Sequence, residues 1–134
     1  MLLTVETHAR TEFVDITADI NAQLHAPGAP RTGLCHLFVP HTTAAITINE
    51  SADPAVKRDI LTTLARLVPH QGDYRHAEGN SDAHVKSSLM GASAWVPIES
   101  GKLALGTWQG VFFCEFDGPR TRTVRVTVLD RSGE

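Results

Sequence analysis

Hydrophobic and polar positions change period several times along the chain, and each change marks an element. From Leu2 to Thr17, LLTVETHARTEFVDIT mixes β-branched and polar residues in near alternation, which predicts a strand or a hairpin. Thr17 can cap a short helix through Ile20 and Leu24, and PGAPRTG ends it. GLCHLFVP predicts a second strand stopped by Pro40, and HTTAAITINE a third, with no room for a helix between them. Asp53-Pro54 is a strong helix start, because aspartate accepts the orphan amide hydrogens and proline is pre-set for the first helical position. Val56, Ile60, Leu64 and Leu67 then recur at helical spacing, the pattern of an amphipathic helix packed on a sheet and ending before Pro69.

HQGDYRHAEGNSD is a long polar loop, and Asn80 or Ser81 can cap a second helix, DAHVKSSLMG, that stops at Gly91. Further strands are predicted in ASAWVPI, in KLALGTW running on to GVFFCEF, and in TRTVRVTVLD, separated by the turns ESGK and DGPR. Many strands with two or three helices and no regular βαβ alternation predict an α+β fold, mainly antiparallel, with residues 1–134 as one domain.

Composition narrows the function classes. At 42% hydrophobic and 20% charged residues the chain is an ordinary globular one, not a disordered one. A net charge of −3 argues against nucleic acid, whose phosphates demand a basic face. Arg120, Arg122, Arg125 and Arg131 alternate with apolar residues, as on one edge of a strand. No apolar run approaches the roughly 20 residues a membrane span needs, and no signal peptide is evident, so the cytoplasm is the simplest compartment. Cys35 and Cys114 lie in apolar runs and read as small core residues.

The candidate chemistry is a set of histidines and carboxylates. His41 opens the third strand and Glu50 closes it, Asp53 starts the helix, His76 sits in the polar loop and His84 in the first turn of the next helix. Such groups suit a divalent metal (Zn, Mn or Mg) or acid–base work near neutral pH. Each has a plainer reading. Asp53 is explained as a cap, and histidines such as His8, His25 and His70 are ordinary surface or core residues. Glu50 is harder to dismiss, since a buried carboxylate needs a partner. GTWQG reads as a bend or as a pocket wall carrying Trp108 and Gln109; DGPRTR reads as a turn or as an anion fork using Arg120 or Arg122.

Together HTTAAITINESADP, HAEGNSDAHVKSSLMG, GKLALGTWQG and EFDGPRTR resemble, in order, the YjbQ-like family, whose members carry the name secondary thiamine-phosphate synthase. The resemblance implies a small α+β sandwich-like fold assembled as a homotrimer, with polar clefts near subunit boundaries. It implies site residues at His41, Thr42, Thr43, Asn49, Glu50, Asp53, His76, Asn80, His84, Gln109, Asp117 and Arg120. It also implies a transferase joining a pyrimidine diphosphate to a thiazole phosphate. In that expectation His41, His76, His84 and Glu50 hold a divalent metal, Glu50, Asp53 and His84 serve catalysis, and Thr42, Thr43, Asn49, Asn80, Lys86, Trp108, Gln109 and Arg120 bind substrate. The alternatives are a metal-dependent hydrolase of a small phosphate or ester, and a non-catalytic trimeric ligand-binding module.

Overall fold

The structure, a computed structural model, describes residues 1–131. Eight strands and three helices follow one another as β1 (Leu2–Glu6), β2 (Glu12–Asp15), α1 (Thr17–Leu24), β3 (Gly33–Phe38), β4 (Ala44–Glu50), α2 (Pro54–Leu67), α3 (Ser81–Met90), β5 (Ser93–Glu99), β6 (Lys102–Leu103), β7 (Gln109–Glu115) and β8 (Thr121–Asp130). Every strand pairing is antiparallel. A five-stranded sheet runs β1-β8-β3-β5-β6, and a three-stranded sheet runs β2-β7-β4. The expected α+β fold with a mainly antiparallel sheet is the one observed.

The burial patterns explain the layering. In β7 every residue from Gly110 to Glu115 is buried, so both faces of the small sheet are covered. One face, carrying Val111 and Phe113, meets Cys35, Leu37, Val96, Val124 and Val126 of the large sheet. The other, carrying Phe112 and Cys114, packs under Leu64 of α2 and Ala83 of α3. β8 instead alternates, with Arg122, Val124 and Val126 inward and Thr121, Arg125 and Thr127 exposed, so the large sheet has one covered face. Both cysteines are free and buried in these cores. Among the described residues no helix is long and apolar enough to cross a membrane.

Several details differ from the sequence expectation. β1 and β2 are not a hairpin: β1 pairs with β8 and β2 with β7, in different sheets. Thr17 is the first helical residue rather than the cap. Its amide donates to Asp15 Oδ1, and its Oγ1 accepts from the Val111 amide at 2.8 Å. KLALGTW does not run on to β7 as one strand, because β6 and β7 lie in different sheets and residues 104–108 cross between them. His41 precedes β4 instead of opening it.

Asp53 does cap α2, its Oδ1 accepting from the Ala55 amide at 2.9 Å, with Pro54 next. Asp53→Ala is therefore expected to lower stability by about 0.5–2 kcal/mol in a denaturant titration, Asp53→Asn by much less.

Candidate active site

At one end of the sandwich β3 leaves the large sheet, β4 enters the small one, α3 begins, and the turn from β7 to β8 crosses over. Side chains from all four converge on a cleft of about 630 Å³ lined by His41, Thr42, Thr43, Asn80, His84, Asp117, Arg120 and Arg122, with Phe38 and Glu78 at its walls. A second lobe of about 370 Å³ adjoins it, lined by His41, Thr42, Ala44, His84, Ser87, Ser88, Gly91 and Ala92. His41, Thr42, His84 and Ala92 line both lobes and so form the waist between them.

The floor is an ion pair that plugs the end of the core. Inward alternation on β7 and β8 brings Glu115, 0% exposed, against Arg122, 3% exposed. Arg122 Nε donates to Glu115 Oε1 at 2.9 Å and Nη2 donates to Glu115 Oε2, while Nη2 also donates to Thr43 Oγ1 at 2.9 Å. Glu115 further accepts from the Thr7 hydroxyl and from the amides of Phe116 and Asp117. Burial by itself would raise the Glu115 pKa, but these donors outweigh it and hold the carboxyl below its ordinary range.

His41 is fixed by the end of a β-ladder. Phe38↔Arg125 is the last register pair of β3 and β8, so the Thr123 amide has no strand partner on that side. His41 Nε2 accepts its hydrogen at 3.0 Å, which requires that nitrogen to be unprotonated and leaves the ring hydrogen of the neutral imidazole on Nδ1. Burial first, and then the nearby Arg122 charge, lower the His41 pKa below its ordinary 6.5 despite an opposing effect of Glu115, and Arg120 adds a smaller lowering. His84 faces His76 edge-on, ring centroids 5.3 Å apart, and His76 Nε2 lies 3.6 Å from Glu78 Oε2. Asp117 Oδ2 accepts from Asn80 Nδ2 at 2.8 Å and from Arg120 Nη2 at 3.1 Å. Asn80 Oδ1 is buried with no partner among the described residues, an acceptor whose capacity is unmet.

The expected site residues thus divide. His41, Thr42, Thr43, Asn80, His84 and Arg120 line the cleft, with His76 beside His84. Asn49, Glu50, Asp53, Trp108 and Gln109 lie at the other end of β4, where Glu50 pairs with Gln109 while Ala44 pairs with Glu115. Six strand steps separate the two ends by roughly 20 Å. There Asn49 Oδ1 accepts from the Glu50 amide, Gln109 Oε1 accepts from the Gly106 amide to close its turn, and Trp108 is exposed. Lys86 turns away from the cleft: it is 3% exposed and donates to Asp82, which Arg10 grips from the other side with two hydrogen bonds.

A metal held by His41, His76, His84 and Glu50 does not fit within this chain. Glu50 is at the far end of β4, and the His41 Nε2 lone pair is engaged by the Thr123 amide. Among the described residues no three histidine, cysteine or carboxylate side chains stand together as ligands. The sequence reading missed Glu115 and Thr123 and named Arg122 only as an alternative. Two charged residues inside the inward apolar stripes VFFCEF and TRTVRV were the available signal.

A family model described as UPF0047 protein YjbQ-like matches residues 1–131. The chain belongs to the YjbQ-like family. The YjbQ-like relatives include YugU of Bacillus subtilis, 50% identical over 95% of this chain and 96% of its own length. A UPF0047 protein of Methanocaldococcus jannaschii is also 50% identical, over 93% and 90%. Among solved structures, the yjbq/upf0047 protein of Clostridium acetobutylicum superposes with a TM-score of 0.92 at 50% identity, covering 96% of this chain and 99% of that one. A protein of Aeropyrum pernix gives 0.91 at 37% identity, covering 98% of each chain. The YjbQ-like fold expected from the four sequence segments is therefore the fold of this chain.

Proposed function

We propose that the two-lobed cleft is the active site of a transferase joining two small substrates, at least one of them phosphorylated, with thiamine-phosphate formation as the specific reaction. The observation that carries this reading is the pair of adjoining lobes meeting at His41 and His84. Two reactants seated side by side would bring their reacting atoms to that waist, which is the entropic part of catalysis. In the reaction the thiazole nitrogen forms a bond to the pyrimidine methylene carbon as the carbon–oxygen bond to diphosphate breaks, the electron pair leaving with diphosphate. Fixed donors in the larger lobe suit the charge that gathers on the departing oxygen. A histidine at the waist suits proton transfer to that oxygen.

The test is an assay with hydroxymethylpyrimidine diphosphate and thiazole phosphate, each alone and together. Thiamine phosphate and diphosphate formed only with both substrates supports the reading. Phosphate released from single esters points to a hydrolase and overturns it, as does the absence of product under all conditions.

The homotrimer implied by the resemblance has a candidate surface in the uncovered face of the large sheet. Leu2, Phe38, Trp95 and Leu129 are 57, 40, 55 and 50% exposed there, around His36, whose ring lies tilted against Trp95 with centroids 4.5 Å apart. An apolar face of this kind is a site for association. Sedimentation equilibrium is expected to give three chains per particle, and Trp95→Glu to give single chains. A wild-type monomer overturns the reading.

A further inference from the structure

We propose that Arg122, clamped from below by Glu115, is the phosphate-recognising group of the larger lobe, so that the more highly charged of the two substrates places its phosphate there. This rests on the reading of the cleft as a substrate site. A guanidinium carries five N–H donors in one rigid plane. Glu115 and Thr43 engage Nε and Nη2 of Arg122, which fixes the plane, and Nη1 makes no hydrogen bond with the described residues. Arg122 lines the larger lobe although it is 3% exposed, so this free edge is the part of a buried side chain left for a cleft occupant.

This edge opens on the cleft rather than into the core, and a phosphate oxygen is the strongest acceptor that it can meet there. Because the side chain is already immobilised, binding forfeits little rotamer freedom. Glu115 cancels the formal charge of Arg122 but leaves the donor geometry intact, which favours recognition by direction over loose attraction. Arg120 plays a lesser part. Its side chain is 51% exposed and tied to Asp117 on the rim, where water competes for its free nitrogen. The smaller lobe separates the two ends of the cleft by chemistry. Beyond the shared waist it is walled by Ala44, Ser87, Ser88 and Gly91, with no arginine or lysine, so the more highly charged substrate belongs in the larger lobe.

The test is calorimetric titration of the full-length protein with inorganic phosphate and with diphosphate. Wild type is expected to bind both, and Arg122→Lys to bind about ten- to a hundredfold more weakly, since an ammonium can face Glu115 but cannot also present a second edge. Arg120→Ala is expected to weaken binding only about threefold, as for a solvent-screened group. Should Arg122→Lys fail to fold, the double variant Glu115→Gln/Arg122→Met removes both charges together and serves in its place. The proposal is overturned if wild type binds neither anion, if the Arg122 variant binds as wild type does, or if Arg120→Ala removes the binding. The anion titration needs no turnover and the two-substrate assay needs no measured anion affinity, so a protein that makes no thiamine phosphate can still confirm or refute the role of Arg122.

Discussion

Glu115→Ala is expected to destabilise the protein by about 3–5 kcal/mol, the largest effect of any single substitution in the site. The carboxylate is fully buried, and it receives the Arg122 guanidinium, the Thr7 hydroxyl and two backbone amides. Removing it leaves a buried cation with no counter-charge, held only by the Thr43 oxygens, and a hollow at the end of the inter-sheet core. Most of the loss is expected to be recovered in Glu115→Gln/Arg122→Met, which has no uncompensated charge. Urea unfolding of the two variants checks this, and a double variant as unstable as the single one would refute the account. The same pair predicts a pH dependence. The Glu115 pKa is depressed on folding, so its contribution is present above the ordinary carboxylate range and is lost as pH falls through the lower folded value.

The second large effect concerns the waist of the cleft. His84→Ala and His41→Ala are each expected to lower kcat/KM by about 10²–10⁴ if these imidazoles move protons. His41 has a structural duty as well, since alanine there also leaves the Thr123 amide without its acceptor. His41→Gln separates the two, because an amide oxygen can take the Thr123 hydrogen but cannot titrate. It is expected to retain wild-type melting behaviour while losing activity; equal activity in His41→Gln would assign His41 a purely structural role. The His41 pKa is lowered, so the acid limb of the rate profile should lie below pH 6.5. Its stability contribution has the corresponding sign. The unfolded chain takes up the proton first as pH falls from 6.5, so stability is full above that value and declines toward the lower folded pKa.

How far the site was legible depended on whether its signal was local. Asp53-Pro54 announces a helix start by local hydrogen bonding alone, and the structure has that cap. The apolar run GVFFCEF announces a strand, which β7 is, though its coverage on both faces appears only in the fold. By contrast, β1 and β2 are close in sequence and belong to opposite sheets, and alternation carries no information about which partner a strand chooses. The histidines were singled out by residue type and Asn80 by the family resemblance, whereas Lys86 was misjudged because its partner Asp82 and the second cation Arg10 meet only in the folded chain.

The sequence by itself determined the strand and helix periods, the α2 cap, the apolar stripes and a family resemblance spread over four segments. Each of these depends on interactions within a few residues or on pattern. Only the tertiary structure decided that β4 separates His41 from Glu50 by its whole length. Only there do residues 7, 43, 115 and 122 form one buried charge network beneath the cleft. The physical reason is that an extended strand holds its two ends apart, while antiparallel pairing brings distant segments into register. Chemistry placed at opposite ends of one motif is thereby divided, and chemistry scattered along the chain is gathered.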